Sequence, residues 1–238
     1  MDERTILVWF RNDLRIHDNE ILFRAVERSH RIVPVYCFDP RHFTRTKYGT
    51  QKTGVLRAAF ILENVLALQQ SLRQLGGDLI IDYGHPEEQL PKLAEKYDVD
   101  EVYHHREVAY EETHLSGLVE EALWKMQINL RHFIGHTLYH KEDLPFPIRD
   151  IPDAFSVFKK KTERESSIRP QLPTPETINI PDGMESGEVP ELAQLGFSNA
   201  ESPLSFANVV TALLSAIFFW SFNIRTLDTK YCGVVYFR

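Results

Sequence analysis

Two hydrophobic rhythms alternate along the first 134 residues. Residues 5–10 (TILVWF) are apolar after the opening threonine and rich in β-formers. That predicts a strand buried on both faces, in the middle of a parallel sheet. Residues 31–38 (RIVPVYCF), 79–81, 99–104 and 128–134 carry the same signature. Pro34 predicts that the second strand begins near the sheet's rim or is distorted there. Helical spacing separates these runs. Ile21, Leu22, Ala25 and Val26 follow an Asp18-Asn19 cap; Leu56, Phe60, Leu62, Val65, Leu68 and Leu72 run up to Gly76-Gly77. Leu90, Leu93 and Tyr97 follow Pro86 with acids at the positive helix end, and residues 111–126 form a fourth amphipathic helix. Strands alternating with helices over short connections predict an α/β fold. The expected architecture is a doubly wound, five-stranded parallel sheet in the order 3-2-1-4-5, with helices on both faces.

Such sheets bind ligands where the strand order reverses, here between strands one and four. Two polar segments meet there, residues 11–15 (RNDLR) and 106–112 (REVAYEE), with Trp9, Phe10, Tyr36, Phe38, Tyr103 and Tyr110 beside them. A two-signed crevice flanked by aromatics suits a flat heteroaromatic ligand with hydrogen-bonding edges. Arg11, Asp13 and Arg15 can equally pair with one another and cap the first helix. No GxGxxG follows the first strand and no GxxxxGK[ST] occurs, so a dinucleotide or P-loop site has no support. From Pro145 the pattern breaks down. Asp153 caps a short helix bearing Phe155, Phe158 and a solvated run, Lys159 to Lys161. Residues 166–195, rich in proline and acid, read as an extended linker.

Composition narrows the class. The 238 residues are 43% hydrophobic and 26% charged, as in an ordinary globular protein. A net charge of −7 argues against a domain that grips DNA phosphates by itself. Cys37 and Cys232 lie far apart without a CxxC partner and, with no signal peptide, read as free thiols in a reducing, cytoplasmic setting. His104 and His105 are neighbours whose side chains diverge on a strand, and no metal-ligand spacing is present.

VWFRNDLR at residues 8–15, with Asp18-Asn19 beyond it, is similar to the opening signature of the photolyase and cryptochrome family. VYCFDP (35–40), KTG (52–54) with Arg57 and Phe60, and Pro86-Glu87 follow in the family's order. TLYHKEDLP (137–145) and Ile151-Pro152-Asp153 resemble the DASH branch in particular. The resemblance covers about residues 5–196. It implies an N-terminal antenna domain holding an accessory chromophore, usually methenyltetrahydrofolate, which passes excitation to FAD. The FAD and the lesion pocket belong to a larger C-terminal domain, where the excited flavin repairs a flipped pyrimidine dimer in single-stranded DNA. Carried over, the folate contacts fall at Trp9, Phe10, Asn12, Arg106, Glu111 and Glu112. Glu112 aligns with the carboxylate that accepts from the pterin's donor edge, with Glu111 as its alternative. Both acids also suit plain helix-dipole compensation. The resemblance therefore implies no catalytic residue and no metal in this chain. It expects FAD and damaged DNA only through the missing domain, and a chain inactive in repair alone. A blue-light sensing module without repair and a non-functional fragment are the alternatives.

After residue 196 the family's glycine-rich continuation is absent. Residues 197–238 hold five charged residues in 42, and 209–222 (VVTALLSAIFFWSF) are nearly all apolar. As a helix, that stretch spans about 21 Å, short of the roughly 30 Å of a bilayer core; no membrane anchor is expected. The expected organisation is an antenna domain over 4–134, a connector over 135–196, and an atypical tail that has the look of a frameshift or a mistaken exon.

Overall fold

The computed structural model describes residues 4–135 and 137–197. Five parallel strands form one sheet: β1 (Thr5–Phe10), β2 (Arg31–Phe38), β3 (Ile80–Tyr83), β4 (Glu101–His105) and β5 (Asn129–Phe133). Their order is β3-β2-β1-β4-β5, as the alternation predicted. Helices α1 (Glu20–Arg28), α2 (Val55–Gln74), α3 (Pro86–Lys96) and α4 (Tyr110–Trp124) connect them, and α5 (Phe155–Glu165) follows β5.

Every residue of β1 is buried, because each face of the central strand meets its own core. Ile6, Val8 and Phe10 pack with α1 and α2 through Ile21, Leu22, Val65 and Leu68. Leu7 and Trp9 pack with α3 and α4 through Leu90, Leu115 and Val119. The period-two alternation of side chains makes this two-sided burial possible and demands an apolar run. Asn19 caps α1, its Oδ1 accepting from Leu22 N at 3.1 Å. At the end of α2, Gly76 (φ +85°) turns the chain left-handed. Gly77 N then reaches Leu72 O at 3.0 Å, closing a Schellman turn.

Pro34 lies inside β2, an interior strand, rather than at the sheet's rim. Pairing of β2 with β3 begins only at Val35↔Ile80, and Asn179 O takes the Ile32 N–H at 2.8 Å just before it. The missing donor of Pro34 thus falls where no ladder partner waits.

The connector is irregular, as expected, and it lies against the sheet as a strap. Ile178 N donates to Leu75 O at 2.8 Å, and Gln69 Nε2 to Gly187 O at 3.2 Å. Ile178, Leu195 and Phe197 are buried in the α1/α2-side core. Gly187 passes so close to β3 that a Cβ there would sit 2.0 Å from Ile81 O. The apolar stretch 209–222 lies outside the described residues. Among the described residues, no helix is long and apolar enough to cross a membrane.

Candidate functional site

All five strands end on the same edge, so their C-terminal loops gather over β1 and its neighbours. A crevice of about 190 Å³ opens there. Its floor is Trp9 and Phe10 from the end of β1. One wall carries Lys52 and Thr53 from the approach to α2 and Arg57 from its first turn; the other carries Glu107, Glu111 and Glu112 from the approach to α4 and its first turn.

The β1 loop divides into two functions. Asp13 and Arg15 build the loop itself. Asp13 accepts from Arg11 N at 2.9 Å and from His105 Nδ1 at 2.6 Å, while Arg15 donates to the carbonyls of His17 and Asp18. Burial alone would push the Asp13 carboxyl up; the hydrogen bond and charge of His105 outweigh it and hold the group below its ordinary range. Arg11 instead turns into the crevice wall. Its guanidinium lies 4.8 Å from the Trp9 ring centroid, Nη1 donates to Ser116 Oγ at 3.0 Å, and Nη2 is 2.8 Å from Glu107 Oε2. Burial presses the Arg11 pKa down, and the carboxylates of Glu107 and Glu112 only partly restore it.

Of the residues predicted from sequence, the crevice brings together Trp9, Phe10, Asn12, Glu111 and Glu112. Arg106 is not among them. It lines a second groove shared with Val108 and the connector, and Glu107 borders both that groove and the crevice. Glu107, which the sequence reading passed over, takes the crevice position. Asn12 Nδ2 donates to its Oε1, and its Oε2 is buried in ion-pair range of Arg11 yet off the donor axis, so no aligned hydrogen bond completes it. Glu111 is exposed and tied to Lys52 Nζ at 2.5 Å, which holds its carboxyl below the ordinary range. The half-buried Glu112 carboxylate has no hydrogen-bond or ion-pair partner among the described residues.

Behind the floor, Trp9 stacks on His104 with centroids 5.2 Å apart. His104 Nε2 shares a proton with His132 Nδ1 across 2.6 Å. Burial, then the neighbouring His132, pulls the His104 pKa down to about 3, so the imidazole stays neutral and packs as an aromatic. Cys37 donates to Gly84 O at 3.2 Å, and burial pushes its thiol pKa far up, away from the reactive thiolate.

A family profile described as DNA photolyase matches residues 6–176, most of the chain and all of the sheet but Thr5. The chain belongs to the DNA photolyase family. Its relatives point to the DASH branch of cryptochromes. It is 44% identical over 205 residues to cryptochrome DASH of Gloeobacter violaceus, covering 86% of this chain and 40% of that one. It is 39% identical over 197 residues to the blue-light photoreceptor PHR2 of Arabidopsis thaliana, covering 82% and 44% respectively. The solved Synechocystis cryptochrome superposes with a TM-score of 0.76 at 38% identity, over 81% of this chain and 40% of that one. The chain thus spans about two-fifths of the length of such relatives, and its sheet is the N-terminal α/β domain of the family. A photolyase of Sulfolobus tokodaii, crystallised with two FAD molecules, shares the fold at 18% identity and a TM-score of 0.64.

Proposed function

We propose that the crevice holds the pterin ring of a methenyltetrahydrofolate-type chromophore, and that the domain serves as the light-harvesting antenna of a DASH photoreceptor. The observation that carries this reading is the donor-seeking wall opposite an aromatic floor. Glu112 has an open carboxylate and Glu107 Oε2 lacks an aligned donor, above a floor closed by the buried Trp9 and Phe10. A pterin edge presents N–H donors in a row, and an ionised carboxylate accepts two at once. The volume also fits. About 190 Å³ is below the roughly 300 Å³ at which pockets enclose a whole drug-sized ligand; a bicyclic ring enters and its acidic tail stays outside, near Lys52 and Arg57.

In this reading Arg11 is a positioning residue, fixing Glu107 and the Trp9 plane. Lys52 and Glu111 close the mouth. When bound, the folate supplies a near-ultraviolet chromophore whose excitation passes to FAD held by the further portion of a full-length protein. That protein would repair cyclobutane pyrimidine dimers in single-stranded DNA, and the present chain would not repair them alone. Likeness to a relative named as a blue-light photoreceptor supports a second reading, sensing without repair. The test is the absorption spectrum of the purified chain after incubation with the reduced folate and gel filtration. A retained near-ultraviolet folate band supports the antenna, whereas a chain that elutes without it, or carries flavin bands instead, overturns the folate assignment.

A further inference from the structure

Two histidines connect the floor of the crevice to the surface. In the sheet register His104 of β4 lies beside His132 of β5. His104 is fully buried and stacks on Trp9 with an interplanar angle of 25°. The His132 side chain is 27% exposed, and its Nε2 stands 3.7 Å from Oε2 of Glu120 on α4, itself open to solvent. The 2.6 Å contact between His104 Nε2 and His132 Nδ1 needs one proton between two nitrogens. Glu120 favours the His132 tautomer with its hydrogen on Nε2, so Nδ1 accepts and His104 Nε2 donates. His104 Nδ1 is then a bare lone pair, which accords with its burial without a hydrogen-bond partner among the described residues. The other charged or titratable groups around the pair are His105 on β4 and Arg11 and Asp13 of the β1 loop. Arg131, beside His132 in sequence, turns instead to Glu101.

We propose that His132 is a proton-operated trigger for the crevice floor. A second proton on its ring, taken from solvent, turns Nδ1 into a donor facing the N–H of His104. Two N–H groups cannot meet at 2.6 Å. Either His104 moves its own proton to the buried, partnerless Nδ1, or the two rings part. Each route disturbs the imidazole that stacks on Trp9. The proton enters at His132, which reaches solvent and has the Glu120 carboxylate beside it to favour a charged ring. Burial holds His104 neutral. Acid thus loosens the floor under a bound ring, and raising the pH restores it. The trigger is independent of what fills the crevice; its effect on ring binding rests on the antenna reading.

The experiment uses the full chain with Trp124→Phe and Trp220→Phe, which leave Trp9 as its one tryptophan. Its emission and the ring-nitrogen NMR signals of His104 are followed from about pH 8 to about pH 5, the range of imidazole titration. A reversible one-proton change is expected in both, at the same midpoint. His132→Gln should abolish it. Glu120→Gln should move the midpoint to lower pH, because the carboxylate that favours the charged ring is gone; this variant reads the trigger without altering either histidine. His114→Gln, at an exposed ring stacked on Tyr110, should leave the change as it is. Signals that do not respond to pH, a transition that survives His132→Gln, or a midpoint unmoved by Glu120→Gln would each overturn the proposal. Methenyltetrahydrofolate should bind severalfold more weakly on the acid side of the midpoint, and His132→Gln should remove that difference. A chain that binds no folate at any pH overturns the antenna reading, whereas the Trp9 transition decides the trigger.

Discussion

Replacing Glu107 with glutamine probes the contact on which the crevice wall depends. Glu107 is the carboxylate facing Arg11 Nη2 at 2.8 Å, and the two side chains are 19% and 7% exposed. The glutamine keeps the acceptor for Asn12 but turns an amide donor toward a guanidinium that can only donate. Arg11 then remains buried against Ser116 and the Trp9 face, with Glu112 and Asp13 as the largest remaining carboxylate charges acting on it. Removing one member of a buried pair costs about 3–5 kcal/mol; the partial exposure of Glu107 scales that down to about 2–3 kcal/mol. For a protein of this size each kcal/mol lowers Tm by roughly 2–4 °C, so a drop of about 4–12 °C is expected. Urea unfolding followed by circular dichroism gives the free energy directly. The cycle closes with Arg11→Met, which removes the stranded charge, so the double variant should recover at least half of the loss. A Glu107→Gln protein within about 0.5 kcal/mol of wild type would refute the reasoning. It would show the pair to be solvated and Arg11 free to leave the wall.

Three further outcomes follow from the same geometry. Neutral, buried His104 has a folded pKa depressed to about 3 from its ordinary 6.5. The unfolded chain therefore binds the extra proton, and stability is complete above pH 6.5 and falls as pH drops toward 3. The slope approaches about 1.4 kcal/mol per pH unit. His104→Phe, which keeps the stack on Trp9, should flatten the stability profile between pH 6 and 4, and an unchanged slope would count against it. Gly187→Ala should destabilise by about 2 kcal/mol or more, because its Cβ would meet Ile81 O at 2.0 Å; chemical denaturation checks this, and a neutral result would mean that the strap does not lie against β3. Cys37 should resist a thiol reagent in the folded protein and react on unfolding, and rapid native-state labelling would contradict its burial.

The sheet was legible because its signal is periodic. The continuous apolar run of β1 and the helical spacing after it fix both the strand order and the switch point. What escaped lacks a period. Arg106 and Glu107 are neighbours in sequence, and both border the connector groove, yet only Glu107 also lines the crevice. Arg11 reads like Asp13 and Arg15 by composition, yet the fold gives it Trp9, Ser116 and Glu107 while the other two stay within the loop. The strap's proline and acid content suggests a free linker. Its anchors, Ile178, Leu195 and Phe197, are too irregularly spaced to show as an element. Pro34 warned of a rim because the sequence cannot reveal where β3 begins.

The central claim, that Glu112 receives the ring of a reduced folate in this crevice, is tested most directly by titrating methenyltetrahydrofolate into wild type, Glu112→Gln and Arg106→Ala. Loss of a charge-assisted hydrogen bond is worth roughly 1.5–3 kcal/mol, or about tenfold to a hundredfold in Kd. The account predicts that loss for Glu112→Gln and an unchanged Kd for Arg106→Ala, whose side chain lies in the other groove. Wild-type affinity in Glu112→Gln together with weakened binding in Arg106→Ala would place the ring in the connector groove and contradict it.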